Sequence, residues 1–481
     1  MADDPAVKKG HAHHKTADKD RVGLGRKIAY GFGGLAENTM HNAVNNMANP
    51  VFNVGFGVAP TLLGIATFIF RLWDAMTDPF MGVISDRTRT RWGRRRPYIV
   101  LGAVFSGLFF AMIWWCPRDM SEAAYFGWFL VSALLFYTAF TVFGVPYLGM
   151  GYELSPDYHE RTRIMSFRTW FASVGGFCIQ WLFWLTQRDM FDDTIEGMRY
   201  VGLGVGLLLI VTAAAPGLFI KERPISEVEG KKTRASLTFG SVISVFRVKP
   251  FRYIFGALIA AVAGMFTVII LGFYINVYYL FDGDLKAAST VIGVSGSFYH
   301  ICCLLSVPMI AAVATRIGKK GTLLIFIGLA VIGTLLKWYL YLPEAPYMQL
   351  IVVALMAPGL SAVWTLLAAM NADVTDVDEL ERGVRREGSF GAIFNWTLKL
   401  GFAVCFLLAG IILEATGFNE QLGGNQPEGT ITAIRALYTL VPASGLVISM
   451  VIIWFYPIDE DKAYETRNKL EAIRGEQEVE A

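Results

Sequence analysis

The chain has 481 residues, of which 54% are hydrophobic, 14% aromatic and only 17% charged, against about 25% charged in a typical soluble protein. Mean hydropathy is +0.46, and runs such as "IVLGAVFSGLFFAMIWW" from Ile99 approach the roughly 20 apolar residues that carry an α-helix across a bilayer. A soluble core is excluded, and a formal net charge of +2 gives no bulk attraction to nucleic acid.

Apolar segments between charged breaks number twelve, centred near residues 40, 72, 107, 137, 175, 209, 265, 300, 331, 360, 402 and 444. The sequence therefore predicts an all-α membrane protein with twelve transmembrane helices. Its parts are a cytoplasmic tail (1–25), a six-helix bundle (26–220), a cytoplasmic central loop (221–249), a second six-helix bundle (250–457) and a cytoplasmic tail (458–481). The N-terminal tail shows no cleavable signal pattern before the first span. Its "HAHH" from His11 to His14 is a weak metal-binding sequence at most and otherwise a solvated tail.

The first segment contains "ENTMHNAVNNMAN" from Glu37. At 100° per residue, Asn38, His41, Asn42, Asn45 and Asn49 fall within roughly a 100° arc. Glu37 and Asn46 flank it, and Met40, Ala43, Val44, Met47 and Ala48 take the other side. Such a stripe faces either a water-filled cavity or partner helices held by amide hydrogen bonds. Interhelical bonding needs one or two such residues, so five favour a cavity lining. Amides both donate and accept, which suits a neutral, hydroxyl-rich ligand.

The second segment reads "FRLWDAMTDP". Arg71, Asp74 and Asp78 are spaced i, i+3, i+7 and share one helical face. Asp74 falls near mid-depth, where an ionised group costs about 3 kcal/mol or more unless paired or hydrated. Two carboxylates four residues apart can hold a Na⁺ together or, by repulsion and desolvation, retain a proton. The plainer alternative is an Arg71–Asp74 ion pair that only fastens helices.

Basic residues set the orientation. Six arginines follow segment 2 in "DRTRTRWGRRRP", and "TRIGKKG" after segment 8 adds three basic residues. The opposite loops hold Arg118, Arg188, Arg199 and Lys286. Both termini and the basic loops are therefore expected in the cytoplasm. "RWGRRRPYIVLG" is echoed by "TRIGKKGTLLIFIG", with Gly93 and Gly318 (318 − 93) 225 residues apart. Two related six-helix halves with a site between them at mid-membrane is the major facilitator plan.

In the second half, Lys337 lies near the outer end beside Trp338 and Tyr339, where snorkelling suffices. Trp364, Asn395 and Trp396 are further candidates for the cavity wall. Lys399 lies about ten residues, or roughly 15 Å, into its segment and calls for a carboxylate or polar ligand. Glu153 and "DVTDVDELERGVRRE" sit at the cytoplasmic boundary, as solvated caps or as salt bridges closing the two halves together. Cys116, Cys178, Cys302, Cys303 and Cys405 show neither disulfide nor metal spacing and read as buried small hydrophobes.

"RLWDAMTDPFMGVISDRTRTRWGRRRPYI", "VPYLGMGYELSPDYHERTRIMSFR" from Val145 and "ADVTDVDELERGVRREGSFGAIFNWTLKLG" from Ala372 resemble signatures of the glycoside–pentoside–hexuronide:cation symporters, the melibiose-permease-like branch of the major facilitators. "YGFGG" from Tyr30 matches the usual start of helix 1. The resemblance implies sugar transport coupled to Na⁺, Li⁺ or H⁺, with Asp74 and Asp78 as the cation-site acids. It also makes Thr141 a helix 4 hydroxyl beside them and Lys399 the helix 11 lysine. The chain departs from the pattern at Gly144, where the family carries a further aspartate, at Asn38 in place of a sugar-binding aspartate, and at Leu148 in place of an aromatic.

These readings make the chain a symporter working by alternating access. Asp74, Asp78 and Thr141 bind the cation, as a metal ion if it is Na⁺. Asn38, His41, Asn42, Asn45, Trp364, Asn395 and Trp396 bind the substrate, and Arg71 and Lys399 couple charge between the halves. The expected partners are a sugar or glycoside, the coupling Na⁺ or H⁺ and membrane lipid, without other cofactors or nucleic acid, in a cell inner membrane. No Ser–His–Asp, metal-ligand or phosphate-loop pattern supports an enzyme. A lysolipid–cation symporter, or a non-transporting receptor or scaffold, are the alternatives.

Overall fold

The computed structural model describes residues 20–222, 244–383 and 386–480; the "HAHH" tract and most of the central loop lie outside them. The described chain is helical. Helix α1 (Leu24–Ala48) continues into a π-helical turn, Asn49–Gly55. It is followed by α2 (Pro60–Arg87), α3 (Arg96–Trp114), α4 (Glu122–Glu153), α5 (Tyr158–Ile179) and α6 (Thr194–Phe219). The second half opens with α7 (Lys249–Phe266), extended by short helical pieces to Leu280. Leu285–Leu340 holds two helices, α8 (285–317) and α9 (319–340), broken at Gly318. Then come α10 (Gln349–Arg382), α11 (Glu387–Ala415), α12 (Glu428–Trp454) and a polar helix α13 (Glu460–Glu480).

Eight of these stretches, α8–α9 taken as one, are long and apolar enough to cross a membrane. Helices α1, α2 and α5 fall outside that set because each carries several charged or amide side chains. The segment expected as a plain C-terminal tail forms α13, which buries Thr466 and Leu470.

Local signals place the helix starts. Asp157, Asp193 and Asp284 each accept a backbone N–H three residues on, capping α5, α6 and α8. Prolines open α2, α3 and α7. Each half packs around its own apolar core, with Phe70 stacked on Tyr137 in the first (4.5 Å) and Phe390 edge-on to Phe251 in the second (5.3 Å).

The repeat echo is real at the level of backbone. Gly93 and Gly318 both adopt positive φ, 117° and 75°, where L side chains are strained. Beside each lies a carboxylate from just beyond the last helix of the same half. Glu222 accepts the backbone N–H groups of Arg94, Arg95 and Arg96 at 2.8, 2.7 and 2.8 Å. Glu460 stands 3.1 Å from where a Cβ on Gly318 would lie. A carboxylate at the N-terminus of α3 answers the unpaired N–H groups there.

The halves meet away from this basic end. A Cβ on Gly64 of α2 would lie 3.0 Å from the Phe406 carbonyl of α11, and one on Gly410 would lie 2.3 Å from the Pro60 carbonyl. The Tyr274 hydroxyl donates to Asn53 Oδ1 at 2.6 Å and to Asn49 Oδ1 at 3.3 Å. Trp181 Nε1 donates to Ser297 Oγ at 2.8 Å, and Lys286 pairs with Asp189. The Lys286 hydrogen bond and charge hold the Asp189 carboxyl below its usual range. At the basic end, by contrast, Arg94 and Arg95 pair with Glu153, Lys319 with Asp373, and Arg386 with Asp378. Each of these pairs stays within one half, so the expected bridging between halves is not made by them in this conformation. The contacts between halves described here thus run from the far end to the level of Lys399, which pairs with Asp74 and Asp78.

Candidate functional site

At the inner limit of the seam, α2, α4 and α11 bring together four sequence-predicted residues. Asp74 and Asp78 project one turn apart from α2. Lys399 of α11 donates to Asp74 Oδ2 at 2.9 Å and to Asp78 Oδ2. Thr141 of α4 donates to Asp74 Oδ1 and Asp78 Oδ1, at 3.2 and 3.3 Å. Thr77 Oγ1 lies 3.3 Å from the Thr141 hydroxyl. Asp74 and Thr141 are each only 1% exposed, while Asp78 and Lys399 are partly open.

The two carboxylates are thus shared by opposite sides. The ammonium takes the Oδ2 atoms from the second half, and the Thr141 hydroxyl takes the Oδ1 atoms from within the first. Two carboxylates and one ammonium leave a formal charge of −1 (−2 + 1), which a single monovalent cation or proton would neutralise. A Cβ on Gly144, one turn from Thr141, would meet only the Phe140 ring at 3.6 Å. A Cβ is tolerated there without displacement.

Arg71 does not join this cluster. Its Nη2 donates to the His41 carbonyl at 2.8 Å, its Nη1 lies 3.4 Å from His41 Nδ1, and its guanidinium covers the Tyr137 ring at 5.2 Å. The alternative Arg71–Asp74 ion pair is not formed; Lys399 reaches the carboxylates from the other half. Arg71 instead ties α1 to α2.

The amide stripe divides by depth. Asn38, His41, Asn42 and Asn45 are half-buried. The Asn42 side chain donates to the Asn38 carbonyl at 3.0 Å and that of Asn45 to the His41 carbonyl at 3.3 Å. Further out, Asn49 joins Asn53 in holding Tyr274 of the second half, so that end of the stripe is interhelical bonding. On α11, Asn395 and Trp396 are exposed, Trp396 at 51%, on the basic-end side of Lys399. Trp364 packs with Phe266 and Phe402 at 6.4 and 6.3 Å, more in the wall of the second bundle than free in the space between the halves. Lys337 does not snorkel: it is 5% exposed, donates to the Tyr438 carbonyl at 3.2 Å and lies 3.6 Å over the Tyr438 ring. Helix α12 covers it.

Sequence reasoning missed two features. Glu37 receives a two-pronged hydrogen bond from Arg168 of α5, at 2.9 and 2.8 Å, and so fixes α1 against α5. The signal was the one carboxylate beside the amide stripe. His300 of α8 meets Gln180 of α5 at 3.4 Å; nothing in its apolar context marked it.

Helices in two packed halves around a polar, mid-depth seam define a major facilitator-type membrane protein. The family described as "MFS/sugar transport protein" matches residues 29–460. The chain belongs to that family, the glycoside–pentoside–hexuronide:cation symporters. It is similar to the isoprimeverose transporter of Lactiplantibacillus pentosus (25% identity, covering 92% of this chain and 90% of that protein). It is also similar to the glucuronide carrier protein homolog of Escherichia coli K12 (24%, 85% and 87%). A further relative is the sodium-dependent lysophosphatidylcholine symporter 1 of Gallus gallus (23%, 96% and 92%). Among solved structures, a bacterial homologue of the lysosomal transporter Spinster in its inward-facing form shares the fold with a TM-score of 0.63 at 17% identity, covering 93% of this chain and 97% of that one. A D-xylose–proton symporter does so at 0.59 and 12%, covering 91% and 97%.

Proposed function

We propose that the chain is a secondary active symporter that moves a sugar or glycoside with Na⁺ or H⁺ by alternating access. In this reading α1–α12 cross a cell inner membrane with both termini in the cytoplasm, and the conformation seen here is the inward-open one. The observation that carries the reading is the Asp74–Asp78–Thr141–Lys399 cluster. It is a charge site at mid-depth made by both halves, so its occupancy and the relative position of the halves are one equilibrium. A coupling cation bound on the Oδ1 side, with the Thr141 and Thr77 hydroxyls as further oxygen ligands, would remove the residual −1 charge. It would favour the state that closes on substrate, and each ligand would then tighten the other. The half-buried amides of α1 supply mixed donors and acceptors for hydroxyls, and relatives named for isoprimeverose and glucuronide carriage support a sugar.

The test is uptake in proteoliposomes under an imposed Na⁺ or H⁺ gradient, with isoprimeverose, methyl β-D-glucuronide, melibiose and lysophosphatidylcholine as probes. Concentrative uptake of one of the sugars is expected. Asp74→Asn should abolish accumulation while leaving equilibrium exchange. Undiminished accumulation by that variant would sink the assignment. Cation-driven uptake of the lysolipid alone would transfer it to the amphiphile reading, which the Gallus gallus relative represents.

A further inference from the structure

Helix α8 presents Gly293, Gly296, Ser297 and His300 to α5, spaced as one face of a helix. The Trp181 ring packs on Gly293 and the Gln180 amide on Gly296. Of these four residues His300 lies deepest along α8, and it is half-buried. Its ring occupies a notch left by Gly176 of α5. A Cβ at that position would stand 2.8 Å from His300 Cε1, 3.3 Å from His300 Nε2 and 3.4 Å from Asn38 Oδ1. Histidine from one half and asparagine from the other thus both border the same α5 glycine.

The hydrogen bonds fix what each offers. Gln180 Nε2 donates to the Gly176 carbonyl at 3.4 Å, which orients the amide, and the same nitrogen faces His300 Nε2 at 3.4 Å. A donor facing Nε2 makes that atom the acceptor and puts the ring proton on Nδ1. Asn38 Oδ1 is approached by Asn42 Nδ2 at 3.4 Å, which leaves Asn38 Nδ2 as the free donor. Neither His300 Nδ1 nor Asn38 Nδ2 meets a protein acceptor among the described residues.

Building on the symporter reading, we propose that His300 is a substrate-contacting residue supplied by the second half. Its Nδ1–H and the Asn38 amide N–H together donate to oxygen atoms of one sugar hydroxyl or carboxylate. The ligand is gripped by both halves at once, and Gly176 is required because any side chain there would displace the imidazole.

Three substitutions separate this role from a structural one, because asparagine places its N–H near the imidazole Nδ1 and glutamine near Nε2. Purified His300→Ala, His300→Gln and His300→Asn would be titrated with isoprimeverose, methyl β-D-glucuronide and melibiose in a thermal-shift assay at saturating Na⁺. For the sugar that stabilises the unsubstituted protein, the apparent Kd should rise about five- to tenfold in the Ala and Gln variants. It should stay within about twofold in the Asn variant. A role confined to the Gln180 contact predicts the reverse order, with Gln tolerated and Asn not, and that order overturns the proposal. So does an unchanged Kd in all three, which leaves the symporter reading standing. An unsubstituted protein that answers to none of the sugars and accumulates none in proteoliposomes overturns both. If Ala fails to fold, the Asn–Gln comparison still decides.

Discussion

Lys399 stands to Asp74 and Asp78 as a mobile cation would, except that it is tethered to α11. Removing it should leave two partly buried carboxylates facing each other with only hydroxyls between them. We expect Lys399→Ala to lose on the order of 2 kcal/mol of stability in Na⁺-free buffer at neutral pH, a discounted value because the site is partly open to water. Added Na⁺ or mild acid should restore most of it, since either supplies the missing positive charge. Thermal unfolding in detergent across a Na⁺ and pH grid measures this. A midpoint indifferent to both would mean that the carboxylates do not form a cation site. The four residues of this cluster were legible in the sequence, three because charges at mid-depth are expensive and conspicuous, and Thr141 only through family likeness. The partner of Arg71 was not legible, because helical spacing says which residues share a face and not which neighbour arrives first from another helix.

At the scale of helices, the α2–α11 contact is the hinge of the far seam, and it depends on Gly64 and Gly410 letting backbones touch. A leucine at 410 would drive its side chain into the Pro60 carbonyl. Gly410→Leu should therefore prevent the far end from closing and populate the opposite conformer. A bias of about 3 kcal/mol suffices to shift the two states by roughly a hundredfold. Spin labels at exposed Met190 and Glu344, on far-end loops of opposite halves, should report a longer distance than in the parent protein, with uptake reduced in parallel. An unchanged distance would show that the seam tolerates the side chain and that the glycine is not what closes it. The amide stripe of α1 teaches the same lesson from the sequence side. Its one-sidedness was visible, but its division into a cavity wall and an interhelical bond at Asn49 depended on Tyr274, more than two hundred residues away.

Over the whole molecule, the two halves carry the same device at the same place: a glycine with positive φ at a tight turn and a carboxylate returning from beyond the sixth helix. The faint sequence echo at Gly93 and Gly318 was enough to expose the repeat. The carboxylates were not legible, because Glu222 and Glu460 lie in polar connections that look alike to any composition argument. Glu222 satisfies three backbone donors, so Glu222→Ala should lower stability by about 2–3 kcal/mol. The unfolding midpoint should fall visibly, and Glu222→Gln should recover part of the loss. An Ala variant as stable as the parent would show that water replaces the carboxylate without cost.

In the symporter proposed above, the division of the site's oxygens between an anchored ammonium and the Thr141 hydroxyl has an electrical meaning. With one monovalent cation or proton bound, the cluster would be formally neutral and would reorient without moving net charge of its own. Without it, the four-residue cluster would carry one negative charge of its own back through the membrane field. The potential, worth about 2.3 kcal/mol per elementary charge per 100 mV, would then act on the empty carrier's return and not on the loaded step.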